Sequence, residues 1–194
     1  MNKPHTYPSK IMLVGEYGVV VGGDALTIPF TQFNARGSRD GTALHFLHSG
    51  EIRPVEFDPS SIPGGYRFFL LDSGEQFETG PLEEHFLQQM NEPGFASSIR
   101  NEYLVLNQKL IEVLLGIREA DPGLLVRAIS DYQFTHFHKM IPDTVLDFWI
   151  DGQVSNEYYL KLNGSDGRYM LGITHETSIG NLEEQWKEKV IWIE

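Results

Sequence analysis

At 194 residues the chain can bury a proper core, either as one domain or as two small lobes sharing an interface. It is 41% hydrophobic, 12% aromatic and 22% charged, as in a soluble globular protein, and no apolar run approaches the ~20 residues that span a bilayer. A net charge of −12 with no compensating basic stripe argues against nucleic-acid binding, and the absence of cysteine excludes disulfides, thiolate chemistry and the commonest zinc ligand.

The N-terminus, Met-Asn-Lys-Pro-His-Thr-Tyr-Pro, has no apolar stretch of the secretory kind, so a cytoplasmic protein is the simplest reading. Lys10 to Val14 reads as a short buried strand, followed by a glycine-rich bend in which Val19-Val-Val21 ends at Gly22-Gly23. Residues 25–33 form a second candidate strand, where Pro29 favours an edge or a bend. After a loop at 34–41, residues 42–47 and 52–57 flank His48-Ser-Gly-Glu51 as a hairpin. Residues 58–65 carry two prolines and two glycines and read as a linker, and Tyr66 to Leu71 as a strand.

From there the period changes. Ile99, Tyr103, Leu106, Leu110, Leu114 and Ile117 recur every three or four residues and predict one helical face, with Ser97 or Ser98 as N-cap. Asp121-Pro122 is a cap followed by a first-turn proline, opening a helix towards Phe137. A third helix is predicted from Pro142 to about Ile150, ended by Gly152. Strands at 158–162 and 169–174, a helix at 183–189 and a closing strand at 190–193 complete the chain. Strands and helices mix without regular alternation, so the class is α+β.

Three segments carry candidate chemistry. Lys10-Ile-Met-Leu-Val-Gly-Glu-Tyr-Gly-Val-Val-Val-Gly-Gly-Asp-Ala-Leu26 ends a buried strand on a carboxylate and a phenol, at a sheet end where sites form. The same residues read equally as a tight turn that uses glycine for backbone freedom. Tyr159-Leu-Lys-Leu-Asn-Gly-Ser-Asp-Gly-Arg-Tyr-Met-Leu-Gly-Ile-Thr174 reads on its own as a hairpin with ordinary Asn-Gly and Asp-Gly turn pairs. Arg36-Gly-Ser-Arg-Asp-Gly-Thr-Ala-Leu-His-Phe46 contains an Asp-Gly turn.

Taken together, these segments resemble the GHMP family of small-molecule kinases, especially mevalonate and phosphomevalonate kinases. The first is similar to the family's opening motif. The resemblance implies that Lys10 contacts a substrate anion or phosphate and that Glu16 and Tyr17 lie near the substrate. The third segment is similar to the stretch carrying the family's catalytic base, which places Asp40 in that role. The second resembles the third family motif and implies that Gly164, Ser165 and Gly167 support phosphate, although Asp166, Arg168 and Tyr169 stand where glycines are expected. Ile141-Pro142 and Lys161 fall in the familial order. The implied architecture has two lobes. Residues 1–64 would be a remnant of the family's ribosomal-protein-like N-terminal domain, and 65–194 its ferredoxin-like C-terminal α/β sandwich.

One family element has no counterpart. The second motif, Pro-x-x-x-Gly-Leu-Gly-Ser-Ser-Ala at a helix start, cradles ATP phosphates and helps hold magnesium. It should lie between Phe30 and Asp40, where ten residues cannot contain it. Pro93-Gly-Phe-Ala-Ser-Ser-Ile99 is superficially similar, but it follows the Phe68 strand and lacks Gly-x-Gly. His136-Phe-His138 falls at a helix end, where ligand pairs want a four-residue spacing, so no metal site is read there.

Two functions follow. One is ATP-dependent phosphorylation of a small hydroxylated, mevalonate-like acid or alcohol, using ATP and Mg2+. The other is a catalytically dead binding or assembly module without nucleotide or any other cofactor. Loss of the phosphate-loop helices should leave the first sheet partly uncovered, so a homo-oligomer or a partner chain is expected over that lobe.

Overall fold

The computed structural model describes residues 7–35, 42–75, 79–163, 168–186 and 188–194. Asp40, Gly164, Ser165 and Gly167 lie outside the described residues. Two antiparallel sheets and six α-helices form a mixed architecture in which every named strand pair is antiparallel. The first sheet is a meander of β1 (Tyr7–Val14), β2 (Ala25–Ala35), β3 (Ala43–Phe46) and β4 (Ile52–Val55), in that spatial order. The second contains β5 (Tyr66–Asp72), β6 (Tyr158–Leu162), β7 (Tyr169–His175) and β8 (Val190–Trp192), in the order β6-β7-β5-β8.

Pro29 sits in a strand that has neighbours on both sides along only part of its length. β3 pairs with β2 only at Ala25 to Thr27, so at Pro29 the strand has β1 alone beside it. The predicted hairpin is present as β3 and β4, and its outer side is open: Leu44 and Phe46 are half-buried and Ile52 is 54% exposed.

The helices are α1 (Thr79–Gln89), α2 (Pro93–Ser98), α3 (Leu104–Leu114), α4 (Pro122–His136), α5 (Leu146–Ser155) and α6 (Ile179–Trp186). Neither serine caps the helix at 93–114. It begins at Pro93 with Glu92 as the flanking residue, runs through one wide π-turn at Ile99–Tyr103, and continues as α3. Ser98 Oγ is 2.9 Å from the Tyr132 hydroxyl and 3.1 Å from Glu102, and Ser97 Oγ accepts from Asn101. Ile117 falls beyond the helix, past Gly116 at φ 69°, and is solvent-exposed.

Asp121 caps α4 as read from sequence, its carboxylate accepting from Leu124 N at 3.0 Å. Gly152 does not end α5. It packs under the Tyr158 ring, where a Cβ would meet ring carbon at 2.7 Å, and Asn156 at φ 59° closes the helix instead. One continuous core joins both sheets, with Leu13, Leu26, Phe68, Phe86, Tyr103, Phe137 and Trp149 among its fully buried side chains.

Candidate functional site

β1 stops at Val14 because Gly15 turns at φ +107°, and a Cβ there would lie 2.6 Å from the Asp24 carbonyl. The turn sends Glu16 inward between the two sheets. Tyr17 follows at φ 56°, a conformation uncommon for a residue with a Cβ, and its ring packs on Phe86 at 5.4 Å and Phe137 at 5.7 Å.

Gly18 to Val21 then make a single 3-10 turn rather than a strand. Gly18 and Gly23 lie directly under Leu104 of α3, so both serve close packing. The amides of Gly18, Val19, Val20, Gly22 and Gly23 all donate to carbonyls within the turn. An anion would find those donors already engaged.

Glu16 meets Lys161 of β6. Lys161 Nζ donates to Glu16 Oε1 at 2.5 Å and to the Leu162 carbonyl at 2.9 Å, and neither side chain has exposed surface. The pair closes a network that ties four elements together. The Tyr103 hydroxyl, presented by the π-turn, donates to the Glu16 carbonyl at 3.0 Å. It accepts from Gln133 Nε2 of α4 at 2.8 Å, and Gln133 Oε1 accepts from Leu162 N at 2.8 Å. Glu16 Oε2 is buried with no hydrogen-bond partner among the described residues.

Burial dominates the electrostatics. It raises the Glu16 carboxyl above its ordinary range, opposed by the Lys161 charge, and lowers the Lys161 ammonium, opposed by Glu16. Burial and the nearby Glu16 charge hold the Tyr103 phenol well above 10. These groups act as a sealed polar joint between the sheets, with no surface facing a ligand.

The residues expected from sequence are therefore distributed unevenly. Glu16 and Tyr17 lie together at the junction, both buried. Lys10 lies on β1 opposite Pro29, exposed, and has no ion-pair partner among the described residues. Lys161, Tyr103 and Gln133 complete the network without having been read as site residues. The available signal was a lysine and a glutamine set in otherwise apolar, buried surroundings. Ser97 and Ser98 lie inside a helix with their hydroxyls engaged, so the Pro93–Ile99 segment forms no phosphate cradle. Among the described residues no three His, Asp or Glu side chains gather closely enough to hold a metal ion.

No protein-family model matches the sequence, and no curated protein matches it. Solved structures do match. L. major mevalonate kinase, solved in complex with R-mevalonate, aligns with a TM-score of 0.69 at 10% identity over 99% of this chain and 95% of that one. The Methanococcus jannaschii mevalonate kinase aligns with a TM-score of 0.62 at 11% identity, over 97% and 96% of the two chains. A further mevalonate kinase gives 0.63 at 10% identity over the same shares.

The fold is GHMP-kinase-like. Within that fold, Glu16 and Lys161 come from the two segments that resemble the first and third GHMP motifs, and the structure brings them into direct contact. Among the described residues no helix is long and apolar enough to cross a membrane.

Proposed function

We propose that this chain is a GHMP-type kinase homologue that works as a binding or assembly module without phosphoryl transfer. One observation carries the reading. β2 remains strand through Ala35 and β3 begins at Ala43, so residues 36–42 alone connect two paired neighbours. A glycine-rich loop and a helix of even three turns need well over ten residues, at 3.6 residues per turn. Phosphoryl transfer depends on positioning and charge neutralisation at the phosphates, which that loop supplies in kinases of this type.

The rival reading is ATP-dependent phosphorylation of a small hydroxylated, mevalonate-like acid or alcohol with Mg2+. It is favoured by the similarity to mevalonate kinases over nearly the whole of both chains. In that reading Lys10 and Asp40 take the catalytic roles, and Gly164, Ser165 and Gly167 support phosphate. Calorimetric titration of ATP–magnesium into the purified chain, with product analysis after incubation with mevalonate, separates the two. The module reading predicts no saturable heat at millimolar nucleotide and no phosphorylated product. Saturable binding with turnover would overturn it.

Pairing with another chain belongs to the same proposal. Ile52 and Pro54 on β4 are exposed beside half-buried Leu44 and Phe46, an apolar patch that a second chain would cover. Light scattering is expected to give the mass of a dimer, and a monomer at micromolar concentration would remove self-association from the proposal.

A further inference from the structure

The turn that seals the Glu16–Lys161 joint is itself strained. Gly18 N donates to the Glu16 carbonyl two residues back at 2.5 Å, with Tyr17 between them at φ 56° and ψ −35°. This is a γ-turn of the positive-φ kind, which is rare and strained. Its central residue is a tyrosine, in backbone space that a bulky L side chain seldom adopts. Phe86 and Phe137 cage the ring, and the Tyr103 hydroxyl holds the Glu16 carbonyl. Packing thus maintains a backbone conformation that the local sequence disfavours.

The surroundings give this segment both hinges and room. It is bracketed by Gly15 at φ 107° and Gly22 at φ 85°, residues able to absorb a backbone rotation. At Gly22 an added Cβ would meet nothing within 4 Å. Cavities of about 150 and 200 Å³ lie beside the turn and meet at Gly22 and Gly23, and Val20 is 42% exposed. The sealed state also leaves Glu16 Oε2 buried without a hydrogen-bond partner among the described residues, a cost that water removes once the turn lifts.

We propose that residues 16–21 are a gate, which swings on Gly15 and Gly22 and opens the joint to water while the rest of the chain stays folded. On opening, Tyr17 leaves the Phe86–Phe137 cage and relaxes to negative φ, and Glu16 turns away from Lys161. The seam between the two sheets then presents a carboxylate and an ammonium that the closed state hides. The gate rests on backbone geometry and packing, so it stands whether or not the chain binds nucleotide.

Lys161 has no exposed surface in the closed state, so its acetylation in the full chain, mapped by mass spectrometry, reports opening. The ceiling set by global unfolding comes from the slowest-exchanging amides of β5 and β7. Native Lys161 is expected to react at least about tenfold faster than that ceiling allows. G22A adds positive-φ strain and no clash to the closed gate, and should speed labelling about fivefold. The sharpest arm compares Y17G with Y17A, each checked for folding by circular dichroism. Both lose the ring, but only glycine accepts φ 56° freely, so Y17G should label about tenfold more slowly than Y17A. A turn that is merely flexible would give the opposite order. The gate is overturned if Lys161 reacts no faster than global unfolding permits, if G22A labels like the parent, or if Y17G labels as fast as Y17A.

Discussion

Replacing Lys161 by methionine tests the central joint most directly. The substitution keeps the length of the side chain and removes the charge, leaving the Glu16 carboxylate in a site where neither partner has exposed surface. Breaking one half of a buried ion pair costs about 3–5 kcal/mol, a large share of the roughly 5–15 kcal/mol that holds a domain folded. Replacing both partners, Glu16→Met with Lys161→Met, removes both desolvation penalties and should be less destabilising than Lys161→Met alone. Urea unfolding followed by tryptophan fluorescence measures the cycle, with buried Trp149 as the reporter of core integrity.

The pH dependence has a definite sign. Burial already raises the Glu16 carboxyl above its usual value near 4.5, and Lys161 is the largest opposing influence. Without the lysine it rises further. A carboxyl with a raised folded-state pKa binds more protons when folded, so its stability contribution is full below about 4.5 and is lost as pH rises through the folded value. The Lys161→Met deficit should therefore be largest at pH 8 and shrink towards pH 5. A deficit below about 1 kcal/mol at pH 8, or one that grows on acidification, would refute the reasoning.

Three further changes probe the supporting contacts. Tyr103→Phe removes the acceptor of Gln133 Nε2 and the donor to the Glu16 carbonyl, and should cost about 1–3 kcal/mol in the same urea assay. Alkaline titration at 295 nm should leave part of the phenol absorbance unchanged at pH 11, because burial pushes Tyr66 up to about 12 and Tyr103 well above 10; complete ionisation there would contradict the burial. Asp121→Ala should lower stability by about 1 kcal/mol through loss of the α4 cap, read as a drop of a few degrees in melting temperature. Gly172→Ala puts a methyl group into the Phe69 ring across the β5–β7 pair and should cost about 1–3 kcal/mol or abolish soluble expression.

Where local chemistry decides an element, the sequence was legible: the Gly15 turn, the hairpin of β3 and β4, the Asp121 cap, and the strands around 158–162 and 169–175 all follow from residue type and period. It failed where a residue serves a distant contact. Ser98 looks like a cap, yet its hydroxyl meets Tyr132 thirty-four positions away, while Pro93 starts the helix a turn and a half earlier. Gly152 looks like a stop, yet it exists to admit the Tyr158 ring. The resemblance to kinase motifs anticipated the overall fold, because the opening strand and turn are local. It was silent on how the two motif segments meet.

That meeting has a physical logic of its own. β6 is buried at every position from Tyr158 to Leu162, so a lysine inside it demands a counter-charge from somewhere in the core. Among the described residues Glu16 is the only buried carboxylate, held there by a turn that only glycine at position 15 permits. An all-apolar strand interrupted by one lysine, and a glycine-flanked glutamate after an apolar strand, are thus two halves of one signal. Their 145-residue separation explains why neither half, read locally, discloses the other.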